Sequence, residues 1–182
     1  TGAVLLLPPF YYKNVTDEGV INYYRHIIEN VGDSELHYVL YHIPQNTYVP
    51  ISFKTIEILL KLYPNNIVGL KDSSGDGERM MKVIKYFNNF SVFCGHDTLA
   101  LSISKRGGAG AITAGTNVCG KLLSFILKNY KNENSIKNFN ELQSLLEKIR
   151  QVITTHEPIS LMKAYFSIVD NISEWNLSLI HI

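Results

Sequence analysis

The stretch Asn65-Asn66-Ile67-Val68-Gly69-Leu70-Lys71-Asp72-Ser73-Ser74-Gly75-Asp76 decides how this chain is read. A short apolar run with two β-branched residues closes on a lysine and is followed at once by Asp, Ser and Gly, the pattern of a buried strand running into a turn. A strand of a parallel sheet is covered on both faces, so an amine at its carboxyl end faces a cleft in which desolvation lowers the lysine pKa. Neutral lysine attacks a carbonyl carbon to form a Schiff base, and the iminium then acts as an electron sink for the neighbouring C–C bond. The competing reading of Lys71 is a solvated surface residue or an ion-pair partner, since most lysines are exposed.

Outward from this strand, strand and helix patterns alternate, which is the signature of a parallel sheet with helical crossovers. The pattern predicts strands at Ala3 to Leu7, His37 to Tyr41, Ile67 to Lys71, Phe90 to Cys94 and Ala109 to Thr113. Helices are expected from Thr16 (an N-cap with Asp17 and Glu18 in the first turn), from Ser52, from Asp76 to Phe87 and from Asp97 to Lys105. A Pro-containing loop follows Tyr41. The tail changes character, with three consecutive helices at Lys121 to Tyr130, Ser135 to Ile153 and Pro158 to Val169. On pattern alone, five strands fit a doubly wound α/β sheet.

The chain has 182 residues, 46% of them hydrophobic and 18% charged, which suits one sizeable globular core and not a disordered segment. A formal net charge of +1 with no Lys/Arg block argues against nucleic acid or anionic membrane as the main partner and leaves a small molecule. Cys94 and Cys119 form no C-x-x-C pair, so neither a metal site nor a redox motif is indicated, and two thiols suit a cytoplasmic protein. The opening run to Leu7 is too short to span a bilayer and is stopped by Pro8-Pro9. With no Met and a core strand at the third residue, it is an abrupt beginning that suggests a missing N-terminal part.

Ile67-Val68-Gly69-Leu70-Lys71-Asp72-Ser73-Ser74-Gly75-Asp76 resembles the Schiff-base lysine strand of the dihydrodipicolinate synthase and N-acetylneuraminate lyase family of class I aldolases. The resemblance extends to Leu7-Pro8-Pro9-Phe10-Tyr11-Tyr12-Lys13, Tyr41-His42-Ile43-Pro44, Gly95-His96-Asp97, Gly107-Gly108-Ala109-Gly110-Ala111-Ile112 and Glu157-Pro158-Ile159, in the family's order. It implies a (β/α)8 TIM barrel, which typically needs roughly 250 residues. The five strands would then be strands 4 to 8, with residues 1–118 a partial barrel and 119–182 the family's C-terminal helical extension. Strands one to three, and the Gly-Thr-Thr/Ser-Gly-Glu segment of the family's proton relay, would lie outside the chain.

The resemblance also implies a function: a lyase that needs no cofactor, forms an imine with pyruvate or a 2-oxo acid and works as a homodimer or homotetramer. Lys71 takes the place of the imine-forming amine and Tyr41 that of the relay phenol, where any one of 11 tyrosines is otherwise ordinary packing. Tyr11 matches the tyrosine that reaches across a dimer interface, with Tyr12 the alternative if the loop is counted back from Gly19. Gly95 and Ile112 match positions whose backbone lines the pocket. His42, where the family more often has Asn, is either a substrate contact or a structural histidine. Thr113, Gly115, Thr116 and Asn117 follow the last strand on the active face and could meet substrate hydroxyls. The segment Pro44-Gln45-Asn46-Thr47-Tyr48 departs from the Pro-x-Arg-Thr-Gly of dihydrodipicolinate synthases. Asn46 offers hydrogen bonds but neither the charge nor the fork of arginine, which points to a 2-keto-3-deoxy sugar acid or sialic acid-like substrate. Lysine-pathway synthesis and non-catalytic binding of a 2-oxo acid remain the alternatives.

Overall fold

The computed structural model describes residues 2–176. They form two compact units, one ending at Ile112 and one beginning at Thr113, so residues 113–118 go with the second unit and not with the sheet.

Five parallel strands make up the sheet of the first unit: β1 Ala3–Leu6, β2 His37–His42, β3 Ile67–Asp72, β4 Ser91–Cys94 and β5 Gly110–Ala111. They lie side by side in chain order, with no reversal. A doubly wound sheet needs a reversal of strand order, and without one every right-handed crossover deposits its helix on the same face. The crossovers carry α1 Asp17–Val31, then α2 Pro44–Thr47 and α3 Phe53–Leu62, then α4 Gly77–Tyr86, then α5 Ala100–Ser104. Burial follows this asymmetry, because side chains alternate along a strand. Leu40, Leu70, Val92 and Cys94 are buried on one face. Among residues of opposite parity, Tyr41 and Phe93 are half-buried and Leu5 is exposed.

Local chemistry explains where the helices begin. The Thr16, Ser52 and Asp76 side chains each accept a backbone N–H of the turn they start, from Gly19, Thr55 and Arg79. Gly32 ends α1 at φ 64°, a left-handed C-cap that glycine adopts without strain. The Asn66 amide donates to the carbonyls of Asp33, Ser34 and Leu36, tying the turn before β2 to the start of β3. At Gly69 a Cβ would run into the Ser91 carbonyl, so β3 and β4 approach closely there. The last strand is shorter than the expected Ala109 to Thr113. Because β4 ends at Cys94, Ile112 is the last residue to find a partner, its N–H donating to the Cys94 carbonyl.

The second unit is helical, with α6 Thr116–Asn129, α7 Phe139–Thr155 and α8 Pro158–Val169. The start of α6 comes five residues before Lys121, because the Thr113 hydroxyl accepts the Thr116 N–H and the Thr116 hydroxyl donates back to the Thr113 carbonyl. The following helix starts late, since Asn138 stands at φ 61° and cannot continue a helix. A short 3₁₀ turn fills Tyr130–Ser135. Among the described residues no helix is long and apolar enough to cross a membrane.

Candidate active site

Parallel pairing puts Tyr41 of β2, Lys71 of β3 and Phe93 of β4 in one row across the sheet. Lys71 is 9% exposed, and its Nζ stands 3.9 Å from the centroid of the Tyr41 ring. A lysine amine over an aromatic face is attracted by the ring quadrupole when it is protonated, which holds the two side chains together. Both residues occupy strand ends on the carboxyl side, where barrels and open parallel sheets alike place their chemistry.

One residue further along, the pairing is His42 with Asp72, and alternation turns both to the helix-covered face. Asp72 is fully buried. It makes an ion pair with Arg79 of α4, and its other oxygen accepts the Ser74 N–H at 2.9 Å and the Ser74 hydroxyl at 2.6 Å. Arg79 also donates to the Ile51 carbonyl at 2.6 Å, and the Ile51 N–H donates to His42 Nδ1 at 3.1 Å. Burial, with the Arg79 guanidinium next, depresses the His42 pKa to about 4. The ring is therefore neutral at pH 7, and accepting at Nδ1 leaves its proton on Nε2. Of the two readings of His42, the geometry supports the structural one: the side chain is buried behind the strand, away from the Tyr41 and Lys71 face.

This network anchors the loops after β2 and β3. Ser73 donates its N–H to the His42 carbonyl at 2.8 Å, and its own carbonyl accepts from Gln45 Nε2 at 2.7 Å. The Ser73 hydroxyl is buried with no hydrogen-bond partner, and strand alternation puts it on the side of Lys71. Gly95 lies against it. Its N–H donates to the Asp72 carbonyl at 2.7 Å, and a Cβ there would overlap the Ser73 hydroxyl. Ser73, Asp72 and Arg79 are absent from the sequence-derived site. The period of two after Lys71 was enough to flag Ser73, whereas the Asp72–Arg79 pair needed the helix to be docked.

The remaining sequence-derived residues spread out. Asn46 sits on α2 and, with Leu7, Phe10, Tyr41, Ile43 and Thr47, lines a largely apolar pocket of about 240 Å³ that Lys71 does not line. Ile112 is 37% exposed beyond β5. Tyr11 and Tyr12 are 79% and 76% exposed and meet edge to face, with centroids 5.1 Å apart, so burial does not choose between them. Thr113 belongs to the second unit, where its hydroxyl caps α6. Thr116 and Asn117 lie in the first turn of α6, not in a loop, and the Asn117 amide donates to the Ala114 carbonyl.

The family model described as the dihydrodipicolinate synthetase family matches residues 1–177. Among curated relatives, an uncharacterized DapA-like lyase of Chloroflexus aurantiacus is 30% identical over 97% of this chain and 58% of its own length. The 4-hydroxy-tetrahydrodipicolinate synthase of Pelagibacter ubique is 35% identical over 83% of this chain and 49% of its own length. The chain thus spans about half the length of these relatives. Among solved structures, CdNal of Clostridium difficile, in complex with mannosamine, superposes with a TM-score of 0.78 at 27% identity over 93% of this chain and 55% of that one.

Proposed function

The chain belongs to the dihydrodipicolinate synthetase family, and from that premise we propose that it carries the imine-forming part of a class I aldolase site acting on pyruvate or on 2-oxo acids that cleave to it. The observation that carries the reading is the Lys71 amine, nearly buried and 3.9 Å from the Tyr41 ring centroid. The amine adds to the C2 carbonyl, water leaves and a protonated imine remains. Loss of a proton from C3 gives an enamine that attacks an aldehyde; in the reverse direction the iminium accepts the electron pair of the breaking C3–C4 bond. Tyr41 moves the protons. Ser73, Gly95 and Ile112 directly follow the carboxyl ends of β3, β4 and β5, where the 2-oxo acid would lie. Tyr11 reaches a neighbouring subunit of a homodimer or homotetramer in this reading. The barrel position of these strands, 4 to 8, belongs to the same proposal.

Asn46 places a neutral hydrogen-bonding amide among apolar walls, which disfavours a charged acceptor portion and leaves a partner for a hydroxyl, as in a 2-keto-3-deoxy sugar acid. The mannosamine bound by CdNal is a polyhydroxylated sugar, in keeping with that choice. The 35% identity to a synthase supports dihydrodipicolinate-type condensation as the second reading. Borohydride reduction in the presence of pyruvate, followed by peptide mass spectrometry, is expected to place an adduct on Lys71 that Lys71→Ala abolishes. Turnover of sugar acids is expected to exceed aspartate semialdehyde condensation in kcat/KM. An adduct on another lysine that survives Lys71→Ala overturns the site, and condensation faster by an order of magnitude overturns the substrate class.

A further inference from the structure

We infer that Lys13 and Tyr48 form a latch between the β1–α1 and β2–α3 loops that sets the width of the pocket beside Tyr41, and so the length of acceptor the site admits. The inference rests on the proposed reading of that pocket as the seat of the non-pyruvate portion of the substrate.

Lys13 Nζ donates to the Phe10 carbonyl of its own loop and, at 3.3 Å, to the Thr47 carbonyl of the other loop. The same ammonium stands 4.9 Å from the centroid of the Tyr48 ring. Phe10 and Thr47, whose carbonyls share the cation, are both walls of the pocket. Tyr48 itself is held at φ 56°, ψ 15°, a left-handed conformation in which a bulky residue is a marked outlier, while its N–H closes the α2 turn on the Pro44 carbonyl at 2.8 Å. A glycine would serve the turn better. What tyrosine adds is a ring face for the Lys13 ammonium.

Within the β2–α3 loop the turn is tied by short-range bonds. The Thr47 hydroxyl donates within range of the Ile43 and Val49 carbonyls and accepts the Val49 N–H, and Gln45 ties the turn to Ser73. The unfastened distance is therefore the one between this turn and Phe10, and Lys13 is what spans it. With its donors turned to the two backbone carbonyls, Lys13 acts as a positioning residue and not as a carboxylate receptor.

The amides of Tyr48 and Val49 are both hydrogen-bonded and report opening of the turn by hydrogen exchange in the purified protein. Lys13→Met is expected to speed their exchange about tenfold with β2 and β3 amides unchanged, and Lys13→Arg to restore protection. Tyr48→Phe is expected to leave exchange as it is, and Tyr48→Gly to speed it although glycine suits the backbone. In turnover, Lys13→Met is expected to raise KM for long 2-oxo acids several-fold with kcat and pyruvate trapping at Lys71 unchanged. If Tyr48→Gly slows exchange or Lys13→Met leaves it unaltered, the latch does not exist. Failure of trapping in the unsubstituted protein removes the aldolase reading, while the exchange measurement still decides whether the two loops are fastened.

Discussion

His42 is a histidine that must stay neutral to keep its place. Its Nδ1 accepts the Ile51 N–H, and burial beside the Arg79 guanidinium depresses its pKa to about 4 from an ordinary value of about 6.5. The folded state therefore binds fewer protons than the unfolded state between those two values. Stability rises with pH across that window, is complete above about pH 6.5, and is lost as pH falls from 6.5 to 4. Urea unfolding is expected to show a loss on the order of 2–3 kcal/mol between pH 7 and pH 4 that His42→Asn largely removes. The Asn carbonyl can accept the same N–H without titrating. An unchanged pH dependence in that variant refutes the assignment. That this histidine serves the fold could not be read from Tyr41-His42-Ile43-Pro44, because adjacent strand residues face opposite sides and only the docked helix shows which side is the site.

At the scale of elements, α4 and the end of β3 are joined by a buried ion pair, with the Asp72 side chain fully buried and that of Arg79 15% exposed. Arg79 also reaches the Ile51 carbonyl, so one side chain fastens β3, α4 and the loop after β2. Removing one partner of such a pair strands a charge away from water and typically costs about 3–5 kcal/mol, while removing both is far less harmful. Arg79→Met is accordingly expected to lose stability on that scale in chemical denaturation, and Asp72→Asn combined with Arg79→Met to recover most of it. A single variant within about 1 kcal/mol of the parent would mean that the pair is incidental. The spacing of Asp76, Met80 and Val83 marks this helix and its buried face in the sequence, and the helix forms there. The ion pair is different: Asp72 and Arg79 meet only once α4 has packed on the sheet.

For the whole molecule, crossovers that always step the same way put the helices on one face of the sheet, and the other keeps apolar side chains in solvent. Leu5 is 41% and Ile112 37% exposed, and β1 and β5 each have one unpaired edge among the described residues. Exposed apolar faces and open edges drive association. The 182-residue chain expressed alone is expected to self-associate and to bind a hydrophobic dye. Supplying in trans the part of a curated relative that it does not match should suppress both. A monomer that binds no dye contradicts this. Periodicity, caps and turn residues by themselves determined the alternation of strands and helices, the existence of all five strands, and Lys71 and Tyr41 at strand ends, because each of these is set by contacts within a few residues. Tertiary structure alone decided that the strands run in order without reversal, excluding the doubly wound sheet that the same pattern allowed. It also decided that Lys71 stands over Tyr41 while His42 and Asp72 face the helices. Strand order and facing depend on pairings between segments about 17 to 34 residues apart, and local periodicity carries no record of them.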